Sequence, residues 1–133
     1  LTHPILEHAG RLTVSGVPEG ADALLLGQLI HQQNKSEPRL FLHIARDDAR
    51  LFALRDALSF FMPDCEVLTF PAWDCLPYDR VSPKSDLIAT RLATLARLLR
   101  PAAEDRPRVM VTSINALMQR VPHPSFVKSL SLT

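Results

Sequence analysis

The chain has 133 residues, 15 basic and 14 acidic side chains and a formal charge of +1, which is the length of one domain able to enclose a hydrophobic core. Near-balanced charge excludes a bulk field that would drive binding to nucleic acid or an anionic membrane, so any partner must be recognised by a local surface. The longest apolar runs, such as 24–26 and 109–111, exclude a spanning helix of about 20 residues, and two cysteines, Cys65 and Cys75, are too few for a disulfide scaffold.

No basic segment leads into an apolar core and a small-residue cleavage site, so a cytoplasmic location with reduced thiols is expected. Residues 1–10 read as a tail. Residues 11–15 (RLTVS) read as a short first strand, followed by a Gly and Pro turn over 16–20. Residues 21–33 then carry Leu25, Leu26, Leu29 and Ile30 at helical spacing, and the polar stretch 31–38 ends that helix. A second strand is expected at 39–45 (RLFLHIA), where His43 reads as a core or edge histidine. Asp47 or Asp48 can cap the next helix, in which Leu51, Leu54, Leu58 and Phe61 form a 3-4-3 stripe that Pro63 stops.

A third strand is expected at 65–70, and an aromatic and proline-rich turn leads from it into an amphipathic helix. Ile88, Leu92, Leu95 and Leu99 form that helix's buried stripe; Arg91, Arg97 and Arg100 fall on the opposite face, solvated or able to touch phosphates. Ser82 or Ser85 is expected to cap it. The fourth strand is 108–112 (RVMVT), leading into a short helix over 114–120. Alternating strands and helices predict an α/β fold: a three-layer parallel sheet with helices on both faces, and a switch point beside the first turn. The domain is expected over 11–126, with 127–133 beginning a linker.

The first turn is where such a fold would hold a nucleotide, because backbone N–H groups point at anions beside a helix N-terminus. Gly16, four residues on to Gly20's end of the loop, keeps a phosphate loop's spacing in outline, yet Asp22 and Ala23 stand where lysine and a hydroxyl belong. A carboxylate there repels phosphate and an alanine cannot hold magnesium; Pro18 removes a donor and Glu19 adds a second negative charge. No nucleotide binding at Gly16, Gly20, Asp22 and Ala23 is expected. Nor do the scattered histidines, or Asp74 and Asp79 near Ser82 and Ser85, make a metal site or a nucleophile, so no catalytic or metal residue is named.

Trp73-Asp74-Cys75-Leu76-Pro77-Tyr78-Asp79, Ser82-Pro83, the helix Asp86-Leu87-Ile88-Ala89-Thr90-Arg91-Leu92-Ala93-Thr94-Leu95 and Asn115-Ala116-Leu117-Met118-Gln119-Arg120-Val121 resemble motifs near the N-terminus of the bacterial transcription-repair coupling factors. The resemblance covers roughly 11–126. It implies a fragment: a degenerate P-loop NTPase domain, RecA-like, that has lost its ATPase motifs and acts as a non-catalytic scaffold. The full-length parent would use ATP and Mg in a separate motor, displace stalled RNA polymerase at DNA lesions, and recruit the nucleotide-excision-repair machinery. Contact with the excision nuclease's damage-scanning subunit would fall mainly in an adjacent subdomain, and no cofactor is implied for this unit.

Trp73, Tyr78 and Arg80 are candidates for an interface with neighbouring domains, because aromatics and arginine are enriched at such surfaces. Two other readings stand beside the scaffold: an active nucleotide-dependent enzyme with an atypical loop, and a free-standing DNA-binding module using the arginine face.

Overall fold

A computed structural model describes residues 10–33, 40–75, 80, 82–101 and 106–130. Its elements are α1 (Ala21–Gln33), β1 (Leu40–Ala45), α2 (Asp48–Phe61), β2 (Glu66–Phe70), α3 (Ser85–Leu98), β3 (Arg108–Ser113), α4 (Ile114–Leu117) and α5 (Pro124–Leu130). The three strands form one parallel sheet in the order β1-β3-β2, so the last strand in sequence occupies the middle. The connection from β1 to β2 steps over β3, and the connection from β2 to β3 steps back. Two right-handed crossovers in opposite directions must place their helices on opposite faces.

Packing follows that rule. Leu51, Leu54 and Leu58 of α2 meet Val109 and Val111 on one face, joined by Ala23 and Ile30 of α1. On the other face Leu95 of α3 and Ala116 of α4 pack with Met110 and Phe70. β3 is therefore covered on both sides, as an interior parallel strand should be. The α/β class and the helices on both faces are as the alternation predicts.

Four local expectations fail for identifiable reasons. Residues 11–15 make no strand; they are exposed and join no ladder, and Leu12 and Val14 alone give too little burial to hold a strand. Phe61 leaves the α2 stripe and is half exposed, while Met62, one residue on, packs against the core in its place. Neither Ser82 nor Ser85 caps α3: the N-cap is Lys84, with no side-chain cap, and its backbone N–H donates to Asp74 Oδ1 at 3.3 Å. The helix expected over 114–120 closes at Leu117, capped at its start by Ser113, whose Oγ accepts from the Ala116 N–H at 3.3 Å.

The capping of α2 is as expected: Asp47 is extended and its carboxylate accepts from the Arg50 N–H at 2.9 Å. α5 has no counterpart among the expected elements and runs across the 126/127 position, with Val127 buried; its first residue is Pro124, a position proline favours because its missing N–H would be unpaired there.

Candidate functional site

Parallel strands deliver their following loops to one edge, and the chemistry-bearing residues gather at that C-terminal edge. Asp47, Asp48 and Arg50 follow β1, Phe70 ends β2 and leads into Pro71 to Trp73, and Ser113 ends β3 and leads into Ile114 to Gln119. The degenerate loop reaches the same edge through Glu19 and Asp22.

Arg50 sits between those two carboxylates. Its Nη1 donates to Glu19 Oε1 at 2.6 Å and its Nη2 to Asp22 Oδ2 at 2.7 Å. Gly16 and Gly20 turn the loop with φ of 73° and 92°, the left-handed region that glycine enters without strain. Ala23 is fully buried among the core leucines, so position 23 faces inward and away from the loop mouth. Asp22, Arg50, Arg46 and His43 line a small cavity of 170 Å³ beside β1. Burial holds His43 below the ordinary imidazole value; Asp22 opposes that shift and Arg50 adds to it. In this cleft Glu19 and Asp22 take up the Arg50 guanidinium, and Arg46 is paired with Asp47 at 2.9 Å.

The second cluster centres on Arg91, which the sequence places on an outer face with Arg97 and Arg100. That expectation is overturned: Arg91 is 2% exposed. Its guanidinium carbon lies 4.0 Å from the Phe70 ring centroid and 4.2 Å from that of Trp73. Its Nη1 donates to the Pro71 carbonyl at 2.6 Å and to Gln119 Oε1 at 3.1 Å. The same Gln119 oxygen accepts the Trp73 N–H at 3.0 Å, and Asp48 Oδ2 accepts the Ala72 N–H at 3.1 Å. Burial lowers the Arg91 pKa and the nearby Asp48 charge counters it. Asp48 Oδ1 is buried without a hydrogen-bond partner in the structure.

Arg97 also fails to present a free cation. Its Nε donates to Glu66 Oε1 at 2.6 Å, while Arg108, 3% exposed, donates from Nε to Glu66 Oε2 at 2.7 Å. Arg108 Nη1 then reaches the Arg100 carbonyl at 2.9 Å and the Arg97 carbonyl at 3.2 Å, closing the C-terminus of α3. Two of the three arginines that the sequence places on the outer face of α3 are thus engaged within the domain.

Of the residues singled out for an interface, Trp73 is half-buried against Arg91, Arg80 is exposed, and Tyr78 lies outside the described residues. Asp48, Arg50, Arg91 and Gln119 were not singled out for these roles. Arg91 had a usable signal: it lies three residues after Ile88 and four before Leu95, hence on their face. Among the described residues no three His, Cys, Asp or Glu side chains could hold a metal ion, and no helix is long and apolar enough to cross a membrane. A wider open hollow of 570 Å³ lies at the opposite end of the sheet, between α1 and the segment 62–65, lined by apolar residues together with Gln28, His31, Gln32 and Asp64.

No family model matches the chain. It is 30% identical over 115 residues to the transcription-repair-coupling factor of Haemophilus influenzae, across 86% of this chain and 9% of that protein. The Escherichia coli (strain K12) protein of the same name is 38% identical over 89 residues, 67% of this chain and 7% of that one. That of Mycobacterium tuberculosis is 39% identical over 71 residues, half of this chain. The chain thus spans less than a tenth of the length of these relatives, and is related to a segment of them.

Proposed function

We propose that this chain, related to transcription-repair-coupling factors, is a non-catalytic scaffold unit within such a factor. The whole protein would displace RNA polymerase stalled at DNA lesions and recruit the excision-repair machinery, with ATP and Mg serving a motor elsewhere in its sequence. This unit would pack against the other domains of its parent and hold the adjacent subdomain through which the damage-scanning subunit is met.

The observation that carries the reading is the Arg50 fork on Glu19 and Asp22. In a phosphate-binding loop the positive charge faces the ligand; here the loop supplies the negative charges and its own domain supplies the cation. The fork replaces a nucleotide contact by an internal one. The Arg91 cluster supports the same role, since it commits the aromatic turn and the helix behind it to a fixed shape. It also disfavours the DNA-binding alternative, which needs that arginine outside.

Titration calorimetry with ATP and magnesium tests the reading. No heat of binding is expected at concentrations up to roughly millimolar. Tighter binding would overturn it, and phosphate release that is lost on Gly16→Val would instead establish an active nucleotide-dependent enzyme.

A further inference from the structure

α1 and α2 meet at two identifiable points. Near their N-termini Arg50 holds Asp22, and farther along Met62, directly after α2, lies over Gly27 in the middle of α1. A Cβ at Gly27 would come within 2.9 Å of Met62 Sδ and 3.2 Å of its Cγ, so the thioether occupies the space a side chain there would need. Gly27 has no positive φ, and a helix interior otherwise disfavours glycine. Room for the thioether, rather than backbone conformation, accounts for a glycine at this position.

The same thioether both seals the core and meets an opening. Met62 packs against the cluster that contains Ile30, Leu51 and Leu58, and it forms part of the wall of the 570 Å³ hollow. A second sulfur, that of Cys65, also lines the hollow, but it is 5% exposed, and burial pushes its thiol up to about 11. At neutral pH it therefore offers an oxidant almost no thiolate, whereas a thioether reacts without ionising.

We propose that Met62 is a redox-sensitive modification site, converted by hydrogen peroxide to its sulfoxide, and that this change loosens α1 from α2. Sδ attacks one peroxide oxygen; the O–O bond breaks, an S–O bond forms, and water leaves after proton transfer. Sulfur loses two electrons and the peroxide gains them. The side against Gly27 has no room for another atom, so the new oxygen must turn to the hollow, toward water and the polar groups of Gln28 and His31. That movement draws the side chain off the seam and leaves the space above Gly27 unfilled.

Treatment of the chain with hydrogen peroxide, followed by peptide mass mapping and urea unfolding, tests the proposal. Met118, 81% exposed, is the internal reference, and Met62 should gain one oxygen at no less than about a tenth of its rate. As Met62 converts, the urea midpoint should fall by about 0.5 M, and a mixture of the two epimer-specific methionine sulfoxide reductases should restore it. Met62→Leu, which conserves volume, should keep its midpoint under the same treatment, although Met110, Met118 and both cysteines remain. Four results would overturn the proposal: Met62 unmodified when Met118 is fully converted, a Met62 sulfoxide with an unchanged midpoint, a midpoint that stays low after Met62 is reduced, or an equal loss in Met62→Leu.

Discussion

The Arg91 guanidinium meets two ring faces, a backbone carbonyl and an amide oxygen. Arg91→Ala would empty the space between the Phe70 and Trp73 rings and leave Gln119 and the Pro71 carbonyl short of a donor, and a loss on the order of 3 kcal/mol is expected in urea unfolding. Arg91→Lys should recover little of it, because an ammonium cannot stack between two rings. Emission from Trp73, the sole tryptophan, should shift to longer wavelength in both; a lysine variant with unchanged stability and emission would refute the role. Titration adds a second residue-scale expectation. Since burial keeps His43 below its ordinary value of 6.5, the unfolded chain takes up that proton first as pH falls. Stability should therefore decline from about pH 6.5 downward, then level off below the folded pKa. His43→Gln should remove this slope and leave a later acid loss, below about pH 4, from Glu66. Burial works against the Glu66 carboxylate, yet hydrogen bonds from Arg108 and Arg97 hold it below its usual range. Cys65 is the opposite case: burial pushes its thiol up to about 11, so it should resist a thiol reagent at about pH 8 until the chain unfolds.

Elements dock here through small residues and single hydrogen bonds as well as through leucines. Gly27 lies in the middle of α1, where a Cβ would come within 2.9 Å of Met62 Sδ at the end of α2. Gly27→Leu should separate the two helices and cost about 2 kcal/mol, whereas Gly27→Ala should be nearly neutral, because helix propensity offsets a contact that a flexible thioether can relieve. Thr94 anchors α3 on β2 through its hydroxyl, and Thr94→Val should cost about 1 kcal/mol in thermal or urea unfolding. These contacts explain why the α3 stripe is only partly as the sequence suggests. Ile88, Leu92, Leu95 and Leu99 are all half-buried, while the fully buried seam runs through Arg91 and Thr94. Apolar spacing identified the helix and its approximate face. It could not identify polar residues whose partners lie 20 or more positions away in sequence.

For the whole molecule, the degenerate loop and the sheet have to be considered together. Restoring a phosphate-loop sequence by Asp22→Lys with Ala23→Thr should gain no measurable ATP binding, because position 23 points into the core and the new lysine would face Arg50. Calorimetry on the double variant checks this, and a magnesium-dependent affinity tighter than roughly millimolar would show the loop to be repairable. From sequence alone came the α/β class, three of the four strands, the three long helices α1, α2 and α3, and the loss of lysine and hydroxyl from the first turn. Each rests on periodicity or on the chemistry of a residue at a fixed offset, which are local properties. Only the tertiary structure decided that β3 lies in the centre, that residues 11–15 stay outside the sheet, and that Arg91 and Arg50 turn inward. Those outcomes depend on partners distant in sequence: a charge belongs to the surface until aromatic rings, a carbonyl and a carboxylate converge to replace its water.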